Sequence, residues 1–219
     1  MSSKTKIFDN LQNLKEEVKS CCNSSNRKIN SVKIMAVSKN ISKSVTLETV
    51  KMGHRIFGEN RVQEALKKWP AIKDRYPKIK LHMIGPLQSN KVKQAAELFD
   101  VFHTLDREKI AKEFSKFGNI IKNKKMFVQV NTGREATKSG IDPKQLTEFI
   151  NYCVNDLGLS IRGLMCIPPI NDNPSSHFAL LNDLLIDNNL NELSIGMSGD
   201  YEKAIMFNPS YIRLGTILF

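Results

Sequence analysis

Lys39 closes the run Val32-Lys33-Ile34-Met35-Ala36-Val37-Ser38-Lys39, a short β-prone segment that delivers one primary amine to a strand terminus. A primary amine on a rigid strand end, facing a pocket, is the nucleophile that an aldehyde needs to form a Schiff base. Taken alone, a lysine at a strand end is ordinarily a solvated charge. Direction comes from the far end of the chain, where Ser198-Gly199-Asp200 and Arg213-Leu214-Gly215-Thr216 carry hydroxyls and glycine-flanked backbone amides. Such groups hold a phosphate, so the pieces together describe a site for an aldehyde that carries one.

Those pieces lie far apart in sequence, and the elements between them must bring them together. Apolar, β-branched runs alternate with helix-period runs throughout. The patterns predict strands at 32–38, 55–58, 80–84, 100–104, 125–131, 160–167, 192–197 and 211–215. Helices are predicted near 43–52, 60–75, 88–98, 107–117, 143–156, 175–187 and 200–207, with an extra one near 5–22 before the first strand. Alternating strands and helices with short connections imply right-handed crossovers and a parallel sheet. Eight strands in 219 residues fit a closed single-domain (β/α)8 TIM barrel spanning 1–219, with an extra N-terminal helix. An open doubly wound sheet is the alternative, but no G-x-G-x-x-G follows the first strand.

Composition narrows the function classes. No stretch approaches the roughly 18 uninterrupted apolar residues of a membrane span, and Met1–Lys6 leads into an amphipathic helix instead of an apolar signal core. A cytoplasmic protein is expected, with no membrane partner. Cys21, Cys22, Cys153 and Cys166 form no C-x-x-C pair, and His54, His82, His103 and His177 have no metal-ligand spacing, so no metal site is expected. The net charge of +11 is uneven, since residues 151–219 hold 3 Lys+Arg against 7 Asp+Glu. The lysines sit among helical positions without interleaved aromatics, which reads as solvated outer helices and not as a nucleic-acid face.

In a barrel of this kind the functional groups stand at the C-terminal strand ends, and phosphate commonly binds after strands seven and eight. Ser198 falls after strand seven, and Gly215 and Thr216 after strand eight. Local sequence also offers ordinary roles: Ser198 as a helix cap, Gly215 as a turn residue, and Asn60 as an N-cap with Gln63 as its capping-box partner. Lys91 and Lys138 are further amines near strand ends, read locally as solvated charges.

Several segments together resemble a known family. Ala36-Val37-Ser38-Lys39, Phe57-Gly58-Glu59-Asn60 with Val62-Gln63-Glu64, Ile84-Gly85-Pro86-Leu87-Gln88-Ser89-Asn90-Lys91, Lys138-Ser139-Gly140, Gly163-Leu164-Met165, Leu193–Ser198 and Arg213-Leu214-Gly215-Thr216 are similar, in order, to the pyridoxal phosphate homeostasis proteins. The resemblance implies a barrel like the N-terminal domain of alanine racemase, with pyridoxal 5'-phosphate held as a Schiff base on Lys39. It implies that Ser198, Gly215 and Thr216 hold the phosphate, Asn60 lines the pocket and Arg213 faces the pyridine nitrogen. Ile195, the 132–137 loop and the end at Phe219 depart from the family pattern.

The implied function is buffering or delivery of the cofactor in vitamin B6 homeostasis, without catalytic turnover, by a monomer that hands pyridoxal phosphate to apo-enzymes. An arginine beside the ring nitrogen opposes its protonation and weakens the electron sink that carbanion chemistry uses. The competing reading is a small pyridoxal phosphate-dependent amino-acid racemase.

Overall fold

The computed structural model describes residues 3–135 and 137–219. Met1 and Ser2 of the N-terminal segment, and Ala136 of the 132–137 loop, lie outside the described residues. Eight parallel strands, β1 (Lys33–Val37), β2 (Ile56–Glu59), β3 (Lys80–Met83), β4 (Val101–Leu105), β5 (Lys125–Gln129), β6 (Ile161–Met165), β7 (Glu192–Met197) and β8 (Tyr211–Leu214), form a closed barrel in sequence order. Closure is made by β8 pairing with β1, with Met35 opposite Arg213 and Ala36 opposite Leu214. Each predicted strand is present within a few residues of its expected bounds.

The strands are buried on both faces, and for that reason they read as apolar runs without clean alternation. Their outward positions, among them Ala36, Phe57, Leu81, Phe102, Val128, Leu164, Leu193 and Ile212, pack into one core beneath the surrounding helices. Those helices are α1 (Ser3–Ser24), α2 (Lys43–Lys51), α3 (Val62–Lys68), α4 (Pro70–Arg75), α5 (Val92–Leu98), α6 (Glu108–Ser115), α7 (Gly118–Ile121), α8 (Leu146–Asn151), α9 (Pro174–Asp187) and α10 (Tyr201–Ile205). The extra helix α1 buries Ile7, Leu11, Leu14, Val18 and Cys22 at three- and four-residue spacing, and it packs on α2 and α10 across the seam where the barrel closes. Asn10 Nδ2 donates to the Leu218 carbonyl and Tyr201 Oη to Glu17, tying α1 to the C-terminal segment.

The single helix expected over 60–75 is two. Pro70 has no N–H to continue α3 and instead takes the first position of α4. The 143–156 helix likewise begins as a 3-10 turn at Pro143–Gln145 and ends in a π-helical turn at Tyr152–Asp156.

Inward positions fill the lumen in layers drawn from alternate strands. Met35 (β1), His82 (β3), Phe127 (β5) and Ser194 (β7) form one central layer, and Gly58, His103, Met165 and Arg213 come from the even strands. The glycines here are space requirements. A Cβ on Gly58 would stand 2.7 Å from Met35 Sδ, and one on Gly163 only 1.8 Å from the Glu192 carbonyl oxygen.

Candidate cofactor site at the C-terminal mouth

Lys39 lies two residues beyond the end of β1. It stands in the turn that follows, and Ser38 N–H still donates to the Gly58 carbonyl at 3.0 Å, so the ladder with β2 runs up to its neighbour. Asn40 then turns the chain at φ 60, a left-handed conformation that Asn adopts at little cost. The Lys39 side chain is exposed.

A buried network braces this strand end. Glu59 Oε1 accepts from Ser38 Oγ at 2.7 Å, Lys68 Nζ at 2.9 Å and Trp69 Nε1 at 2.9 Å. Lys68 Nζ also donates to the Ser38 carbonyl at 2.7 Å, fixing the peptide that leads into Lys39. Glu59 and Trp69 are fully buried and Lys68 is 8% exposed. Local sequence reading passed over this group. Its signal was Lys68 itself, which stands on the same apolar face of α3 as Val62 and Ala65, where a lysine needs a buried carboxylate.

The other expected residues fall on the same arc of the mouth. Pairing of β8 with β1 brings Gly215 against Val37, where a Cβ on Gly215 would stand 3.4 Å from the Val37 carbonyl oxygen, and Thr216 follows. Met197 pairs with Arg213, so Ser198 emerges beside the end of β8. Asn60 follows Glu59 on β2, on the other side of Lys39. Thus β7, β8, β1 and β2, four consecutive strands around the barrel, carry Ser198, Arg213–Thr216, Lys39 and Asn60.

The capping readings do not hold. The N-cap of α10 is Asp200, whose Oδ1 accepts from Met197 N–H, and Ser198 is half-buried without capping the helix. The N-cap of α3 is Arg61, which makes no side-chain cap. Asn60 Oδ1 is instead a buried acceptor without a partner among the described residues, a polar atom that a bound group would satisfy. It borders a cavity of about 570 Å³ lined also by Gln63, Leu87, Lys91 and Arg107, and a second of about 300 Å³ runs over β3–β6 past Gln129 and Lys138. A larger cavity of about 1000 Å³ lies between α6 and α8, away from the Lys39 arc. Lys138 pairs with Glu135 at 2.7 Å.

Arg213 is 5% exposed and rises from the lumen. Its guanidinium donates to the Ser194 carbonyl at 2.6 Å, to Ser194 Oγ at 2.9 Å and to the Cys166 carbonyl at 2.9 Å. Three bonds from two nitrogens fix the plane of the fork. Burial lowers its pKa, with the Cys166 thiol and Asp200 acting in the opposite sense. Beneath it His103 stacks on Phe127 with ring centroids 4.4 Å apart and meets His82 nitrogen to nitrogen at 2.8 Å. Burial pushes His82 down to about 3 and His103 well below its ordinary value, so both imidazoles are neutral at physiological pH. Arg213 is therefore the cation of this layer.

The arc fits an aldehyde-bearing phosphate. It offers an amine on a braced strand end, hydroxyls at Ser198 and Thr216, glycines at 199 and 215, an arginine held from below and, among the described residues, an unpartnered amide oxygen at Asn60. Pyridoxal phosphate is a molecule of that description.

The family model for the N-terminal domain of alanine racemase matches residues 9–219. The pyridoxal phosphate homeostasis protein of Vibrio cholerae is 38% identical, the match covering 97% of this chain and 95% of the relative, and that of Aquifex aeolicus is 35% identical, covering 96% of each. Among solved structures, PipY of Synechococcus elongatus with PLP bound matches at a TM-score of 0.81 and 31% identity, over 97% of this chain and 99% of that one. Alanine racemase of Acinetobacter baumannii matches at 0.75 over 99% of this chain and 61% of its own length, and at 17% identity the likeness concerns the fold alone. With a barrel matched by the family model over residues 9–219 and relatives above 30% identity over their full length, the chain belongs to the pyridoxal phosphate homeostasis protein family.

Proposed function

We propose that this protein binds pyridoxal 5'-phosphate at the C-terminal mouth and acts in vitamin B6 homeostasis as a non-catalytic carrier, buffering the cofactor or delivering it to apo-enzymes. The observation that carries the reading is the Lys39 strand end, braced from below by Glu59 and Lys68 and flanked by Ser198, Thr216 and Asn60. When bound, the cofactor supplies an aldehyde that condenses reversibly with an amine. Lys39 is the amine in reach of the arc. Ser198 and Thr216 donate hydroxyl hydrogen bonds to the phosphate, Gly215 lets the backbone come close, and Asn60 Oδ1 accepts from the ligand. Arg213 holds a positive charge toward the ring-nitrogen position and keeps a proton off that atom.

Carrier is favoured over racemase by where the tyrosines stand. Racemisation needs an acid/base group facing the lysine from the opposite side of the substrate. Tyr76 lies near Arg55 and Arg75, Tyr152 near Lys112, Tyr201 is bonded to Glu17, and Tyr211 sits at the other end of the lumen among His82, His103 and Phe127. None faces Lys39. A monomer in the cytoplasm is consistent with this role, and among the described residues no helix is long and apolar enough to cross a membrane.

The test is paired. Protein loaded with pyridoxal phosphate should activate an apo-enzyme while showing no turnover of single-enantiomer alanine or serine. Borohydride reduction followed by peptide mapping should place the adduct on Lys39. Robust racemisation abolished by Lys39→Ala would overturn the carrier reading, and an adduct elsewhere would overturn the site.

A further inference from the structure

We propose that the N-terminal mouth of the barrel is a second ligand site, one that takes a small phosphate monoester carrying a flat apolar group. The lumen layer at this end comes from the first residues of the odd strands, Lys33 (β1), Lys80 (β3), Lys125 (β5) and Glu192 (β7). Strand pairing sets these residues level with the inward residues of the even strands, namely Tyr211, Ile56, Val101 and Gly163. In a (β/α)8 barrel such positions are ordinarily bulky branched residues, and this face serves stability. Here three of the four odd positions are lysines and one even position has no side chain, so the layer is not filled with apolar bulk.

A cavity of about 450 Å³ remains, within the range of small-molecule sites. Its rim is cationic: Lys33, Lys80, Lys124 and Lys125 all line it. Its floor is apolar and aromatic, made by Ile56, Val101, Tyr211 and the edge of His82. Two carboxylates face the rim lysines. Asp100 Oδ2 is occupied by Lys73 Nζ at 2.9 Å and Leu81 N–H at 2.8 Å, and Glu192 pairs with Lys125. Lys124 Nζ donates to the Phe99 carbonyl, and Lys33 Nζ stands 5.3 Å from the Tyr211 ring centroid. The positive excess is thus concentrated on Lys33, Lys80 and Lys124, above a low-dielectric floor that focuses their field. His82 adds no charge because burial keeps it neutral.

A cationic rim over an apolar floor selects an amphipathic anion. The phosphate meets the lysines through charge-assisted hydrogen bonds and the flat group covers Ile56, Val101 and Tyr211. Inorganic phosphate alone would leave the floor bare, and a neutral ring would leave the lysines unpaired. The His82, His103 and Phe127 layer separates this cavity from Arg213 and the Lys39 arc, so the two mouths are distinct sites, and this inference does not depend on what the other mouth binds.

Calorimetric titration with phenyl phosphate, inorganic phosphate, phenol and a single-stranded oligothymidylate tests it, with the His82 imidazole NMR signals marking the site. Phenyl phosphate should bind more tightly than inorganic phosphate or phenol and should shift the His82 signals. The Lys33→Ala/Lys80→Ala double variant alters two exposed side chains and should fold normally, which circular dichroism checks. It should bind about 100-fold more weakly, a factor of ten or roughly 1.4 kcal/mol per lysine. Lys33→Arg should retain binding. Unmoved His82 signals, or equal affinity for inorganic phosphate, would overturn the proposal. So would undiminished binding in the double variant, or an oligothymidylate that binds far more tightly through the same lysines.

Discussion

The two mouths of this barrel hold their lysines in opposite ways. At the C-terminal mouth, Lys39 is an amine on a strand end whose preceding peptide is fixed by a buried carboxylate and a buried ammonium. At the N-terminal mouth, four lysines ring an apolar floor with two carboxylates between them, each already engaged. The first arrangement fixes where one nitrogen is, which is what bond formation requires. The second produces a field without fixing any one atom, which is what attraction of a mobile anion requires. Placement of the same residue type on the same barrel yields two different kinds of chemistry.

The largest expected effect separates the mouths outright. Lys39→Ala should abolish the visible absorbance of cofactor-loaded protein and leave the unfolding midpoint unchanged, because an exposed strand-end amine contributes little to the core. Retained colour in that variant would mean that another amine carries the bond.

The bracing network should come next. Glu59→Leu leaves Lys68 buried without a counter-ion, at a cost of about 3–5 kcal/mol, readable as a drop in urea midpoint. The Glu59→Leu/Lys68→Met double variant should recover most of that stability yet still hold cofactor poorly, since Ser38 has lost its bonds to Glu59 and Lys68. If the double variant binds cofactor as wild type does, the network supports the fold alone.

Buried imidazoles make stability depend on acid: His82 in the lumen, and His54 outside it, edge-on to Phe57. His82 stays neutral in the folded protein down to about 3 and His54 down to about 4, whereas an unfolded histidine titrates near 6.5. Below about 6.5 the unfolded chain binds more protons than the native one, so stability is full above that pH and falls progressively toward pH 4. Urea midpoints measured from pH 7.5 to 4 should decline over that window. A flat profile would mean that the buried imidazoles take up protons without unfolding.

The phosphate contacts should follow. Ser198→Ala and Thr216→Val should each weaken cofactor retention by about 1.5–3 kcal/mol, the worth of a hydrogen bond to a charged group. Equilibrium dialysis measures it, and unaltered retention in both variants would remove these hydroxyls from the site. Smallest of all, Lys80→Ala should shift the unfolding midpoint by no more than a surface substitution does, about 0.5 kcal/mol. A larger loss would mean that the N-terminal lysines brace the barrel as Lys68 does.

The eight strands could be picked out of the sequence because their signals are local, and Lys39, Ser198, Gly215 and Thr216 could be named as candidates for the same reason. A β-branched run, a glycine beside a hydroxyl or an amine at the end of a strand is written in a handful of consecutive residues. The break at Pro70 was equally local, though the apolar pattern on either side of it hid the boundary. Asn60 was different, since a cap and a pocket wall have the same short sequence, and only the observation that Arg61 begins α3 while Asn60 Oδ1 stays unpartnered separates them.

What the sequence determined by itself was the alternation of strand and helix, because it follows from side-chain type and period. Barrel closure decided the rest. Pairing of β8 with β1 sets residues 213 and 35 side by side, and no local rule measures that distance. Whether a given lysine is buried against Glu59, exposed at the end of β1 or gathered with three others around Tyr211 depends on which strands close on one another. Electrostatic environment is a property of that packing, and the sequence holds only the charges.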